Sequence, residues 1–232
     1  MRPEPATVPS LAAVPGLVHG FGRRAPAVSP EPREATRARV ARLLQPHGVL
    51  WRLRQVHGDT VVEPPWPSPP AADAAVSTRA GDLLGIETAD CLPVLLVDPV
   101  RHAVAAVHAG WRGTAARVVG RAVAALVLRG SRPTDLLAAL GPAIGACCYE
   151  VGEELREAFG AEAEHVFTPG PQGRPHLDLA TANRRQLLAA GLSPAAIARV
   201  DECTRCRPDL YHSYRRDGRG GGRMISYVGF SR

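Results

Sequence analysis

Residues Thr88–Gly113, TADCLPVLLVDPVRHAVAAVHAGWRG, decide how this chain is read. Two short apolar runs within them, Pro93–Val97 and Ala103–Val107, read as buried strands. Cys91 stands just before the first run and His108 just after the second. A thiolate former and an imidazole at strand ends, on loops rich in glycine and aspartate, suit a site held by a rigid sheet.

Outward from this block, strands and helices mix without a regular βαβ alternation. That favours a mixed α/β domain in layers, its sheets flanked by helices. Residues 1–30 are proline-rich and read as an irregular segment packed on a single domain over 31–232. Helical spacing covers Glu34–Leu44, Thr114–Leu128, Glu150–Phe159 and Asp178–Ala190, and Ser193 reads as the cap of a further helix. Strands are predicted at Leu50–Val56, Thr60–Glu63, Ala72–Thr78, Leu83–Glu87, Asp135–Leu140, Ser213–Arg216 and Arg223–Phe230. Pro64–Pro70 reads as a turn or exposed loop, since proline cannot donate to a sheet ladder.

All 28 basic residues are arginine; there is no lysine. This excludes Schiff-base chemistry, a pyridoxal-phosphate anchor, a Walker lysine and a kinase strand lysine. The net charge of +6 comes from dispersed arginines in short clusters, which argues against nucleic acid as partner. Arginines gathered at a small anionic substrate are the better functional use, because the guanidinium fork matches phosphate or carboxylate. No apolar run approaches the roughly 18 residues of a membrane span. The first 22 residues hold four prolines and no continuous apolar core, so no signal peptide is expected. Five scattered cysteines fit a reducing cytoplasm better than a disulfide framework. No interface pattern separates a monomer from a homodimer.

His57, in Gln55-Val56-His57-Gly58, joins Cys91 and His108 as a third residue at the end of an apolar strand. Three protein ligands and one open position describe catalytic zinc. The intervening stretches of 33 and 16 residues match no local zinc spacing. A thiolate–imidazole nucleophile is the competing reading, and the plain one is three separate residues, a buried free cysteine and two histidines hydrogen-bonded at loop ends. Asp90 could orient a histidine or shuttle a proton. Arg112, read as opening a long helix, is a candidate anion contact. Arg54, Arg215 and Arg216 are further candidates for holding a substrate anion. Gly141–Gly145 fits tight packing better than a phosphate cradle. Cys203-Thr204-Arg205-Cys206 is one C-x-x-C without a second pair, so both cysteines read as free thiols.

Six motifs occur in one order: QVHG at 55–58, AD at 72–73, TADCLPVLL at 88–96, AVHAGWRGT at 106–114, GPAIGACCYEVG at 141–152, and SYRRDG with GRM at 213–224. Together they resemble the multicopper polyphenol oxidase (laccase) domain family, also called the purine nucleoside phosphorylase or YfiH family. The resemblance implies a zinc-type site of His57, Cys91 and His108 in a single α/β domain. It also implies phosphorolysis of adenosine, inosine, guanosine and methylthioadenosine, with hydrolytic deamination of adenosine. Other members are described as copper-dependent polyphenol oxidases, or as editors of serine-containing muropeptide precursors. His212 departs from the phenylalanine usual before SYRRDG, and Ala146 from a common proline.

Eight histidines with no H-x-H pattern suit multicopper chemistry poorly, which places polyphenol oxidation last and zinc ahead of copper. The expected activity is zinc-dependent purine nucleoside phosphorolysis with adenosine deamination. The expected substrates are the nucleoside and phosphate. A metal-dependent amidase and a non-enzymatic nucleotide-binding module are the alternatives.

Overall fold

The two runs predicted as buried strands form β6 (Leu92–Asp98) and β7 (Ala103–Ala109), buried throughout. They make an antiparallel hairpin with Leu92 opposite Ala109 and Pro93 opposite His108. The hairpin turns on Asp98, whose Oδ1 accepts the N–H groups of Val100 and Arg101. The computed structural model describes residues 4–24, 32–171 and 173–232.

The hairpin is the centre of a six-stranded mixed sheet. Its order is β11 (Ile197–Arg199), β8 (Leu137–Leu140), β6, β7, β4 (Ala74–Ser77) and β3 (Val61–Val62). A second sheet runs β1 (Leu17–Gly20), β12 (Met224–Phe230), β5 (Asp82–Thr88) and β2 (Val49–Arg52), and β9 (Phe167–Pro169) pairs with β10 (Pro175–Leu177) as a separate two-stranded sheet. Side chains alternate along a strand, and here both faces are covered. Leu92, Val94 and Leu96 join a cluster with Val119 and Leu126 of α4 (Val118–Val127) and Leu187 of α7 (Leu179–Ala189). Leu95 and Val97 join Leu84, Ile86 and Val228 of the other sheet. The outer face of that sheet is closed by α2 (Arg33–Leu44), whose Val40 and Leu44 lie on Leu83, Ile225 and Tyr227. The fold is therefore the expected mixed α/β one, layered as helix, sheet, sheet, helices. Cutting Leu95 or Leu96 back to alanine would cost about 2–5 kcal/mol, because neither face can collapse freely.

Several elements differ from the prediction. Residues 9–20, expected to be irregular, supply a helical turn α1 (Pro9–Ala12) and β1, which pairs with β12. Residues 1–3 and 25–30 of that segment lie outside the described residues. The helix predicted over Thr114–Leu128 is two, α3 (Trp111–Ala115) and α4, separated where Arg117 takes a left-handed φ of 62°. The break is stabilised from α7: Gln186 Nε2 donates to the Thr114 carbonyl and Asn183 Nδ2 to its hydroxyl. With only five residues, α3 carries little dipole, which removes the helix-terminus part of the Arg112 argument. Of the helix predicted over Glu150–Phe159, only α5 (Glu154–Phe159) forms, followed by the single turn α6 (Ala163–Val166). Ser193 precedes one short 3₁₀ turn (Pro194–Ala196) and makes no side-chain cap. The strand predicted at Ser213–Arg216 is a helical turn, α8 (Tyr214–Asp217), capped by Ser213 Oγ accepting from the Arg216 N–H.

Candidate active site

The register of the hairpin joins Cys91 and His108. Cys91 immediately precedes β6 and so lies beside Gly110, just past the end of β7; a Cβ built on Gly110 would stand 3.1 Å from Cys91 Sγ and 3.0 Å from His57 Cδ2. His108 follows Val104 and Ala106 on the face toward the second sheet. His57 arrives from the loop after β2, with a left-handed φ of 62°. Its Nε2 is 3.9 Å from Cys91 Sγ, and its ring meets that of His108 edge-on at 4.8 Å between centroids. One donor atom from each of the three lies within 4.8 Å of the others.

Asp73 holds this trio together from a fully buried position at the entry to β4. Its Oδ1 accepts from the His57 N–H at 2.9 Å and from His108 Nδ1 at 2.7 Å. Its Oδ2 accepts from the N–H groups of Gly58 at 2.7 Å and Val56 at 3.2 Å. One carboxylate thus fixes the loop that carries His57 and the tautomer of His108, leaving His108 Nε2 as the nitrogen able to bind a metal. Burial alone would push the Asp73 carboxyl up; the hydrogen bonds from His108 and Gly58 outweigh it and hold the pKa low. Burial would likewise raise the Cys91 thiol, but the adjacent His108 and His57 bring it down to about 6. Burial opposes charge on His108, and Cys91 and Asp73 overcome it, raising the imidazole to about 9. Both shifts run toward a thiolate–imidazolium pair, in which a bound cation would take the place of the His108 proton.

The trio fits a catalytic zinc by donor chemistry: two imidazoles and a thiolate, with a buried carboxylate behind one imidazole. An electron-transfer copper would also want a weak axial methionine. Met224 is the only methionine besides Met1, and its sulfur accepts from the His212 N–H. Asp73, Cys91 and His108 without His57 would make a thiolate–imidazole–carboxylate chain. The second imidazole on the same sulfur is what favours metal over nucleophile.

The trio forms the floor of a cavity of about 650 Å³. Arg54, Arg112 and Arg215 line it, as the sequence suggests, and so do Arg33, Arg37 and Arg223. Arg37 is engaged bidentately by Glu87, at 2.6 and 3.1 Å. Arg112 stacks on Trp111 and Arg215 lies over Tyr149. Arg216 sits elsewhere. Its guanidinium donates to Asp217 and to the carbonyls of Thr204, Arg205 and Tyr211, so it holds chain segments together and does not face the cavity. Asp90, a candidate proton shuttle, also takes a different part. It has a left-handed φ of 84° and accepts from Thr204 Oγ1 at 2.6 Å, Ser213 Oγ at 3.1 Å and the Arg215 N–H at 2.7 Å. With both oxygens occupied, Asp90 orders the wall beside Cys91. The sequence marks Asp73 only through Ala72-Asp73, a lone acid just before a strand, which does not reveal its role. Arg33, Arg37 and Arg223 carried no signal, since arginine is everywhere in this chain.

The sequence model of the family described as "Multi-copper polyphenol oxidoreductase laccase" matches residues 29–231. A purine nucleoside phosphorylase of Deinococcus radiodurans is 40% identical over 205 residues, covering 88% of this chain and 79% of its own. An adenosine deaminase, RL5, from an unknown prokaryotic organism is 39% identical over 160 residues, covering 67% of this chain and 61% of its own. The crystal structure of YlmD from Geobacillus stearothermophilus superposes with a TM-score of 0.85 at 29% identity, over 100% of this chain and 99% of that one. With the motifs, the fold and a family match across most of its length in agreement, this chain belongs to the laccase-like family of multi-copper polyphenol oxidoreductases that includes YlmD.

Proposed function

We propose that this protein is a zinc-dependent purine nucleoside phosphorylase that also deaminates adenosine. The observation that carries the reading is the convergence of His57, Cys91 and His108 on the floor of a 650 Å³ cavity rimmed by arginines. The relatives named purine nucleoside phosphorylase and adenosine deaminase support the substrate class. A cavity of this size suits a nucleoside with a phosphate beside it. His57, Cys91 and His108 would hold the metal, which when bound supplies Lewis-acid polarisation at the open face of the trio. Arg54, Arg112 and Arg215 hold the phosphate dianion, and Arg33 and Arg223 extend the positive rim. The guanidinium forks orient phosphate oxygens toward the ribose and offset the charge they bring. Tyr214, 47% exposed at the cavity edge, offers a ring face for the purine. Asp73 keeps the His108 tautomer fixed, and Asp90 keeps Arg215 at the wall.

The test is incubation of zinc-replete protein with adenosine, with and without phosphate, and chromatography of the products. Adenine and ribose-1-phosphate that require phosphate, together with inosine formed without it, are the expected result. Absence of all three products overturns the nucleoside reading. Loss of turnover in Cys91→Ala with nucleoside binding retained would assign the trio to chemistry.

A further inference from the structure

We infer a second metal site in this chain, a structural tetrathiolate zinc held by Cys147, Cys148, Cys203 and Cys206. The single C-x-x-C read as free thiols does have a second pair, the adjacent cysteines 58 and 59 residues earlier. The four sulfurs all lie within 4.8 Å of one another. Cys147 and Cys148 are 3.7 Å apart, Cys147 and Cys206 3.8 Å, and Cys148 and Cys206 3.3 Å. Zinc–sulfur bonds of about 2.3 Å in a tetrahedron require sulfurs about 3.8 Å apart. A disulfide would bring one pair to about 2.05 Å and leave two thiols over.

The backbone is built for four ligands. The first pair sits in a turn where the N–H groups of Cys148 and Tyr149 donate to the Gly145 carbonyl. The second pair spans a turn closed by the Arg207 N–H on the Cys203 carbonyl. The two turns lie side by side through the Ala143–Cys203 bridge and the Thr204 N–H on the Ala143 carbonyl. Gly145 N–H donates to Cys203 Sγ at 3.3 Å, the kind of bond a ligating thiolate accepts. Arg205, between the second pair of ligands, places positive charge near Cys148, where four thiolates around one dication leave a net negative one. Four protein ligands leave no open position, so this site is structural and not catalytic.

Its consequence runs to the cavity. Thr204, between the second pair of ligands, donates to Asp90 beside Cys91, and Tyr149, next to the first pair, lines the cavity. The clasp thus fastens together the two segments that continue the paired strands β8 and β11 toward the cavity.

Metal analysis of the wild-type protein, purified under reducing conditions in zinc, tests this independently of the trio. Two zinc equivalents per chain are expected, falling to one in Cys203→Ser/Cys206→Ser and to one in Cys91→Ala. A single equivalent that Cys91→Ala removes, or a 148–206 disulfide found by mass spectrometry of the wild type, overturns the tetrathiolate. A single equivalent that Cys203→Ser/Cys206→Ser removes overturns the trio instead and leaves the tetrathiolate standing. Should the double serine variant fail to fold, cobalt-substituted Cys91→Ala decides: four-sulfur charge-transfer intensity is expected, and its absence refutes the site.

Discussion

Replacing Asp73 by asparagine tests the claim that one buried carboxylate assembles the trio. Each of its oxygens accepts two N–H donors: Oδ1 those of His57 and His108, Oδ2 those of Gly58 and Val56. Asparagine keeps one acceptor oxygen and turns the other into a donor. In one amide orientation the two loop N–H groups are orphaned; in the other, His57 N–H and His108 lose their acceptor. A hydrogen bond to a charged group contributes about 1.5–3 kcal/mol, and a buried donor without a partner costs about 1–3. Two such losses at a site with no solvent come to about 3–5 kcal/mol of stability. Zinc affinity should also fall about 10- to 100-fold, the usual effect of losing the group behind a ligating histidine. Urea unfolding of chelator-treated protein measures the first quantity, and zinc competition against a chromophoric chelator the second. A variant within about 1 kcal/mol of wild type, with zinc affinity changed less than about twofold, would refute the reasoning.

Gly110→Ala puts a methyl group against both His57 and Cys91 at a backbone φ of −74° that alanine accepts, so zinc affinity should drop about tenfold while the urea midpoint stays near wild type; competition titration checks this, and unchanged affinity contradicts the close fit. His212 is buried, and burial with the nearby arginines lowers its pKa to about 4. The folded state thus resists a proton that the unfolded chain takes up near pH 6.5, so stability is lost as pH falls from about 6.5, amounting to about 3 kcal/mol by pH 4. His212→Phe should flatten that acid limb in urea titrations at pH 4 and 7; an unaltered limb would place the acid sensitivity elsewhere. Arg215→Ala should raise KM for phosphate about tenfold, the loss of one charge-assisted contact. Arg216→Ala should instead lower the melting temperature with that KM retained, and the reverse pattern would exchange their roles.

The strand pair at the centre was legible because both its faces are buried, leaving Pro93–Val97 and Ala103–Val107 as unbroken apolar runs. The same block located Cys91 and His108; the glycine beside His57 marked the third residue, which stands on the loop after β2 and not at a strand end, because β2 stops at Arg52. Position along the chain could not show that Asp73 serves two of the three, since its partners come from the loop after β2 and from β7. The split of Thr114–Leu128 was hidden for a related reason: alanine and valine continue a helical pattern through Ala116-Arg117, and the compensating donors sit 69–72 residues away in α7. β1 was obscured by the prolines and glycines around a four-residue run. Tyr214–Asp217 turned helical because Ser213 and Asp90 cap it, a contact spanning more than 120 residues. The four-cysteine cluster is hidden in the sequence because its two halves, Cys147-Cys148 and Cys203–Cys206, stand more than 50 residues apart and only the second has a zinc-like spacing.

The two buried faces of β6 and β7 also bear on how such a protein diversifies. A residue exchanged within either strand disturbs a packed layer on one side or the other, so the hairpin that delivers Cys91 and His108 tolerates little drift. Arg54, Arg112, Tyr214 and Arg215 occupy the cavity edge on loops and single helical turns, where a new side chain alters no strand register. Relatives that differ in reaction could then share one floor of two histidines and a cysteine and vary only the rim, and a designer seeking a new substrate has the same freedom in the same places.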